Sequence, residues 1–368
     1  MTKIIVIGAG VLGASAAYRL AQAGAKVTVL EAGRAGGGTS GTSFAWTNSH
    51  RKRPFAYHAL NVAGMAAHAA LKDEFGATPW WHGGGSIEWV AAEEIEALRD
   101  NVAQLQAWNY RAEWISKSDL AALEPEIDPA TVGDSPIGYF PDEGWLDPVP
   151  YAHAMLSAAR GLFGATLVLG ARVADLLTRG GRVCGVTLAD GTVHEADMVV
   201  NCAGRLSNTA IRDTALHVPL APTVGLLVFT PPVATGLRHV VHSSVVNGRP
   251  DGAGRLMLHW EQIDPTVPAD AVASPDLAQA REIMDRARRL LPAIGDVRAE
   301  AVRIGIRPIP RDGLTAVGPL PRVDGYYVAV THSGVTMSPF LGAAVADEVM
   351  LGRVRPELAE FRPARFFN

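Results

Sequence analysis

Three glycines, Gly8, Gly10 and Gly13, in the run Ile7-Gly-Ala-Gly-Val-Leu-Gly13, precede an acid, Glu31, at the spacing that holds a dinucleotide. Each glycine has a separate duty. Gly8 permits a tight turn, Gly10 lets backbone approach a pyrophosphate, and Gly13 lets a helix pack close to a strand. A helix opening at Val11 and Leu12 turns free N–H groups and a partial positive charge toward phosphate oxygens. Glu31 accepts hydrogen bonds from a ribose diol, and its charge opposes a 2′-phosphate, which disfavours NADP. The unit implies a dinucleotide and leaves NAD and FAD open.

The elements that must position these residues are legible around them. Residues 3–7 (KIIVI) form a continuous apolar run, the pattern of a strand buried on both faces. A helical pattern over 11–23 stops at Gly24, and Lys26–Leu30 forms a second strand ending at Glu31, which completes a β-α-β unit. Further helices are expected over 55–75, 92–107, 151–163, 276–291 and 338–351. Residues 80–90 read as strand-like, 125–150 as Pro-rich with a turn at 142–144, and 219–262 as β-rich. Asp190-Gly191 between alternating segments signals a hairpin. A second apolar strand covers Met198–Asn201, and another covers Tyr326–Val330.

Composition narrows the class. The chain has 368 residues, 33 basic against 37 acidic, and an apolar share of 48%. That length suits about two domains, and the charge balance argues against a nucleic-acid partner. Two cysteines, Cys184 and Cys202, make no disulfide framework, and no Cys/His cluster suggests a metal. No run of 18 apolar residues predicts a membrane span. A cytoplasmic globular protein is expected. Oligomeric state is left open.

Beyond the glycine unit, three more segments carry a resemblance: SGTSFAWTN (40–48), MVVNCAG (198–204), and GIRPIPRDGLTAVGP with THSGVTMSPFLG (305–342). In order and spacing the chain resembles the D-amino-acid-oxidase-like flavoproteins, the group of glycine oxidases, D-amino acid dehydrogenases and monomeric sarcosine oxidases. The resemblance implies an α/β fold. A discontinuous Rossmann-like FAD-binding domain (1–80, 150–215 and 305–368) would be interleaved with an α+β substrate domain on an antiparallel sheet (81–149 and 216–304). It also implies cofactor contacts from Thr42 and Ser43, from Ala203 and Gly204, and from Gly334, Val335 and Thr336 at the start of the last helix. That helix would aim its dipole at the reduced flavin. Relatives attach flavin through a histidine near Ala45, or a cysteine just upstream of the arginine-proline motif. Here those places read Ala45 and Arg303-Ile-Gly-Ile306, so FAD is expected to be non-covalent.

Arg307 matches the arginine that grips a substrate carboxylate, for which a guanidinium fork is suited. His259 and His332 are candidate pocket residues that orient substrate; His239 and His242 are weaker ones, as are Trp46, Trp80 and Trp81 as pocket walls. Asp312 reads as a turn residue and Cys202 as a buried filler. The implied reaction oxidises the C–N bond of an amino acid or N-substituted amine, with hydride passing to the flavin and the imine then hydrolysing. A 2-hydroxy-acid oxidase or dehydrogenase is the nearest alternative, and needs a base such as His259 or His332. A non-catalytic FAD-binding regulatory or structural protein is the alternative of another class. Oxygen is slightly preferred over an electron carrier as acceptor. Relatives place a lysine in the strand that here reads Arg255–His259. Lacking it, the chain would use Lys52, from the basic run Arg51-Lys52-Arg53, or a protonated His259 as the cation beside oxygen.

Overall fold

A computed structural model describes residues 1–268 and 270–367. In chain order run β1 (Lys3–Ile7), α1 (Val11–Gln22), β2 (Lys26–Glu31), α2 (Phe55–Phe75) and β3 (Ser86–Glu88). Then come α3 (Pro148–Phe163), β4 (Thr166–Leu169), β5 (Met198–Asn201), β6 (Thr223–Phe229), β7 (Val240–His242) and β8 (Asn247–Pro250). The last are β9 (Leu256–His259), α4 (Ala278–Leu290), β10 (Ala301–Arg307), β11 (Ala316–Pro319), β12 (Tyr326–Val330) and α5 (Gly334–Leu351). Shorter elements are named by their residues.

The apolar strands near the N-terminus and at 198–201 and 326–330 lie in one six-stranded sheet, ordered β11-β12-β5-β1-β2-β4 and parallel except for β11. The central strands β1, β5 and β12 are almost wholly apolar because both of their faces are covered. Ile4 and Val6 pack with α1, α3 and α5. Ile5 and Ile7 face the other way, onto an antiparallel sheet of residues 173–179, 182–188 and 193–195 that contains the Asp190-Gly191 hairpin. Strand order reverses at β1, flanked by β2 on one side and β5 on the other, and this is the crevice where such sheets bind ligands.

The second sheet has eight strands, ordered β10-β6-β9-β8-β7-β3 and then Ile137–Phe140 and Glu113–Ile115. It is antiparallel except where β7 runs parallel to β3. Alternation separates its faces. Leu226, Val228, Leu258, Val241 and Ile87 bury against the apolar side of α4. The opposite face carries a lateral row of Leu227, His259, Asn247, His242 and Glu88, each the register partner of the next or its strand neighbour. That polar row faces the site.

Two expectations move. The last helix starts at Gly334 rather than 338, with Pro339 inside it. Proline there removes the N–H that would bond the Val335 carbonyl, and His68 Nε2 donates to that oxygen instead, at 2.9 Å. Within 125–150 the chain forms short strands, and Gly144–Leu146 pairs with Trp46–Thr47 and Trp81–His82 in a small third sheet. Among the described residues no helix is long and apolar enough to cross a membrane.

Candidate active site

At the end of β1 the chain turns at Gly8, whose φ is +95° and whose N–H donates to the Leu30 carbonyl at 2.8 Å. A Cβ on Gly8 would lie 2.8 Å from the Cys202 carbonyl oxygen, and one on Gly13 would overlap the Gly8 carbonyl. Both contacts are with backbone, so only glycine lets β1, α1 and β5 meet this closely. Glu31 accepts from Ala9 N–H at 2.8 Å and Gly33 N–H at 2.7 Å, which fixes its carboxylate at the crevice. Ser40 Oγ accepts from Val11 N–H at 3.1 Å.

This turn borders a cavity of about 300 Å³. Gly8, Gly10, Val11, Leu12 and Glu31 line it from one side. Ala203 and Gly204, beyond β5, and Gly334 and Val335, opening α5, line it from others. Gly13 is absent from the lining; its part is the helix–strand contact. The shape and donor set fit the FAD pyrophosphate and ribose. Cys202 lines the same cavity, and burial pushes its thiol up to about 12, so it stays a neutral filler.

A second cavity of about 620 Å³ meets the first through shared walls at Ser43, His332 and Val335. Thr42, Ala45 and Thr336 line it on one side, and Leu227, His259, Asn247 and His242 of the eight-stranded sheet form its far wall. Ala45 has φ +59°, unusual for a residue with a Cβ. Neither position where relatives attach flavin carries a group able to form that bond. Arg303 instead donates to the Gly41 carbonyl at 3.0 Å.

Arg307, His259, His332 and Lys52 all line this second cavity. Arg307 closes β10, and Gly225 opposite leaves room for it, since a Cβ there would lie 2.6 Å from Nη2. The guanidinium is not an open fork. Nη2 donates to Asp264 Oδ2 at 2.7 Å and Nη1 to the Val224 carbonyl at 2.8 Å. Its side chain keeps 28% exposure toward the cavity, enough for a ligand contact. Asp264 also sits 3.0 Å from His259 Nε2 and accepts from Leu226 N–H at 2.9 Å. Burial would raise its pKa, but the His259 hydrogen bond, Leu226 and Arg307 together hold it below the usual carboxylate value.

His332 opens onto both cavities. Desolvation by the surrounding walls, with the nearby cations Lys52 and Arg307, holds its imidazole down to about 3, so it stays neutral. The Lys52 side chain makes no hydrogen bond or ion pair among the described residues; loss of solvent lowers its ammonium to about 8, with Glu143 opposing and Arg51 adding to the shift. The basic run divides: Arg51 pairs with Glu88 and with Glu261, whereas Arg53 lies over the Trp108 ring outside the cavity.

Other candidates scatter. His239 bonds Glu124 at 2.6 Å and lines neither cavity. His242 does line the second, its ring tilted by 39° with its centroid 3.9 Å from that of Trp46, and burial pushes its pKa well down. Trp46 is a wall, while Trp80 belongs to the core. Asp312 pairs with Arg365, and Arg255 with Asp251 and Glu300, both away from the cavities. Reading the sequence missed two acids. Asp264 follows His259 by five residues, just past the β-rich stretch 219–262, in a short 3-10 turn at Asp264–Thr266. Glu143 lies in a Pro-rich loop, yet its carboxylate accepts from Ser49 N–H, Ser86 Oγ, Tyr110 Oη and Trp46 Nε1 and binds His50 Nδ1.

The sequence of the family described as DAO, FAD dependent oxidoreductase, matches residues 3–348. Glycine oxidase of Bacillus licheniformis is 27% identical over 367 residues, covering 97% of this chain and 95% of its own. Among solved structures, glycine oxidase from Geobacillus kaustophilus superposes with a TM-score of 0.85 at 23% identity, over 99% of both chains. L-proline dehydrogenase from P. horikoshii superposes with a TM-score of 0.84 at 20% identity, over 99% of this chain and 97% of that one.

Proposed function

Since the chain belongs to the DAO family of FAD-dependent oxidoreductases, we propose that it oxidises the C–N bond of an amino acid or N-substituted amine. The observation that carries this reading is the meeting of two cavities. One fits a dinucleotide, and the other presents Arg307 beside a neutral His332. In this reading residues 1–80, 150–215 and 305–368 hold the cofactor and 81–149 and 216–304 the substrate. Gly8, Gly10, Val11 and Leu12 receive the pyrophosphate, Glu31 the ribose, and Thr42, Ser43, Ala203, Gly204, Gly334, Val335 and Thr336 the remaining cofactor edges. FAD, bound non-covalently, supplies the hydride acceptor.

The chain's own groups do the positioning. Arg307 takes the substrate carboxylate on its exposed edge while Asp264 and the Val224 carbonyl fix the guanidinium plane. His332, kept uncharged, offers a lone pair to the substrate amine and does not add a third cation beside Lys52 and Arg307. His242, Asn247 and Trp46 line the far wall. Oxygen is the acceptor we favour, with Lys52 as the cation available to it. Two cysteines in 368 residues suit a cytoplasmic setting.

The test is product analysis under turnover. A panel of D-, L-, N-methyl and cyclic amino acids should yield a keto acid or aldehyde with one equivalent of ammonia or amine. One observation favours a second reading: the His259–Asp264 pair at 3.0 Å places a base beside Arg307, as 2-hydroxy-acid oxidation requires. Consumption of 2-hydroxy acids alone, without amine release, would replace the first reading by the second. Membership of an oxidoreductase family sets aside a purely structural use of FAD.

A further inference from the structure

Five charged side chains line the second cavity: Arg51, Lys52, Arg307, Glu261 and Asp264. Four of them are matched within the protein. Arg51 holds Glu261 at 3.2 Å and reaches back to Glu88, and Arg307 holds Asp264 at 2.7 Å. Lys52 is left over. No carboxylate among the described residues lies within ion-pair distance of its Nζ. Glu143 attracts it from behind the wall, but that carboxylate is already committed to His50, Tyr110, Ser86 and backbone N–H groups. The partly exposed Lys52 ammonium faces the cavity with no carboxylate bonded to it, a place a ligand carboxylate can fill. A simple amino acid brings one carboxylate, which meets Arg307 and leaves Lys52 without a bonded partner.

We propose that the preferred substrate is an amino acid bearing a second acidic group, which Lys52 binds while Arg307 holds the first carboxylate. The assignment rests on the amine-oxidising reading. It makes Lys52 a specificity-determining residue, with a task in substrate binding that precedes any in the reaction with oxygen. Lys52, Arg307 and His332 line the same cavity, so both acid groups would bind within one chamber. Lysine suits the second position, where a compact point charge tolerates acids of differing length, as arginine suits the first.

The test uses calorimetric titration of the FAD-loaded enzyme with unreactive acids. Dicarboxylates of three to five carbons are compared with monocarboxylates of the same length. The best dicarboxylate should bind about tenfold tighter than its monocarboxylate, the scale of one charge-assisted contact. Lys52→Met and Lys52→Gln should abolish that ratio, and Lys52→Arg should restore it. The kcat/KM ratio of an acidic amino acid to its side-chain amide should fall in parallel. Equal binding of the two acid classes by the wild type would overturn the proposal. So would a dicarboxylate advantage that survives both Lys52→Met and Lys52→Gln, or a loss of affinity equal for both classes, which would mark Lys52 as a partner of the cofactor. A Lys52-dependent advantage with no amine oxidation would uphold this site and refute the reaction.

Discussion

At the scale of the residue, the proposed chemistry turns on Arg307 and its partner Asp264. The chain supplies its arginine with a carboxylate of its own, so the guanidinium is oriented before substrate arrives. Arg307→Ala removes the anchor and strands Asp264 beside His259. A loss of about 2–4 kcal/mol in transition-state binding is expected from a broken charged pair. Steady-state kcat/KM against an unchanged flavin spectrum checks it; Arg307→Lys keeps the charge without the planar fork and should fall between. Arg307 was legible in the sequence because Gly-Ile-Arg-Pro is a local motif. Asp264 was not, because its role arises only when β9 turns back and brings it across β6 to Arg307. Glu143 was hidden for the same reason: its donors come from segments near 46–50, 86 and 110, which meet only in the folded chain.

Among the elements, α5 carries most of the positioning, since its first turn borders both cavities. It is held by close backbone contacts. A Cβ on Gly64 of α2 would lie 2.9 Å from Met337 Cα and closer still to the Thr336 carbonyl, and one on Gly342 would lie 2.7 Å from Ser15 in α1. Gly64→Ala therefore displaces the start of α5, which should cost about 1–3 kcal/mol in stability and weaken FAD binding. Denaturant melts and flavin fluorescence titration read the two effects. His68 holds the same turn through the Val335 carbonyl. Burial pushes its imidazole down to about 4, so the folded state keeps it neutral while the unfolded chain takes up a proton below about 6.5. Stability is thus lost as pH falls from about 6.5 toward 4, by on the order of 3 kcal/mol from this group. His68→Gln keeps a donor without the titration, and its stability should decline less over that interval. The 334–351 helix was read too short because proline signals a boundary in sequence. What permits it is a histidine more than 260 residues away.

At the scale of the molecule, two sheets meet so that a dinucleotide crevice opens into a charged chamber. The parallel sheet was legible because its central strands are nearly continuous apolar runs and its glycine turn is local. The mixed sheet was legible in its residues only as β-rich sequence and in the family resemblance as antiparallel, while its order was not, since it depends on β3 inserting beside β7 from far upstream. Acid precipitation should release FAD into the supernatant, as Ala45 and residues 303–306 provide no attachment; flavin left in the pellet would contradict that. The central claim is tested most directly by anaerobic titration of the FAD-loaded enzyme with amino and imino acids, followed by flavin absorbance. Stoichiometric bleaching by at least one of them, with an acidic amino acid at the lowest concentration, is the predicted result. A flavin that stays oxidised with every amine, and bleaches only with 2-hydroxy acids or not at all, would contradict the account.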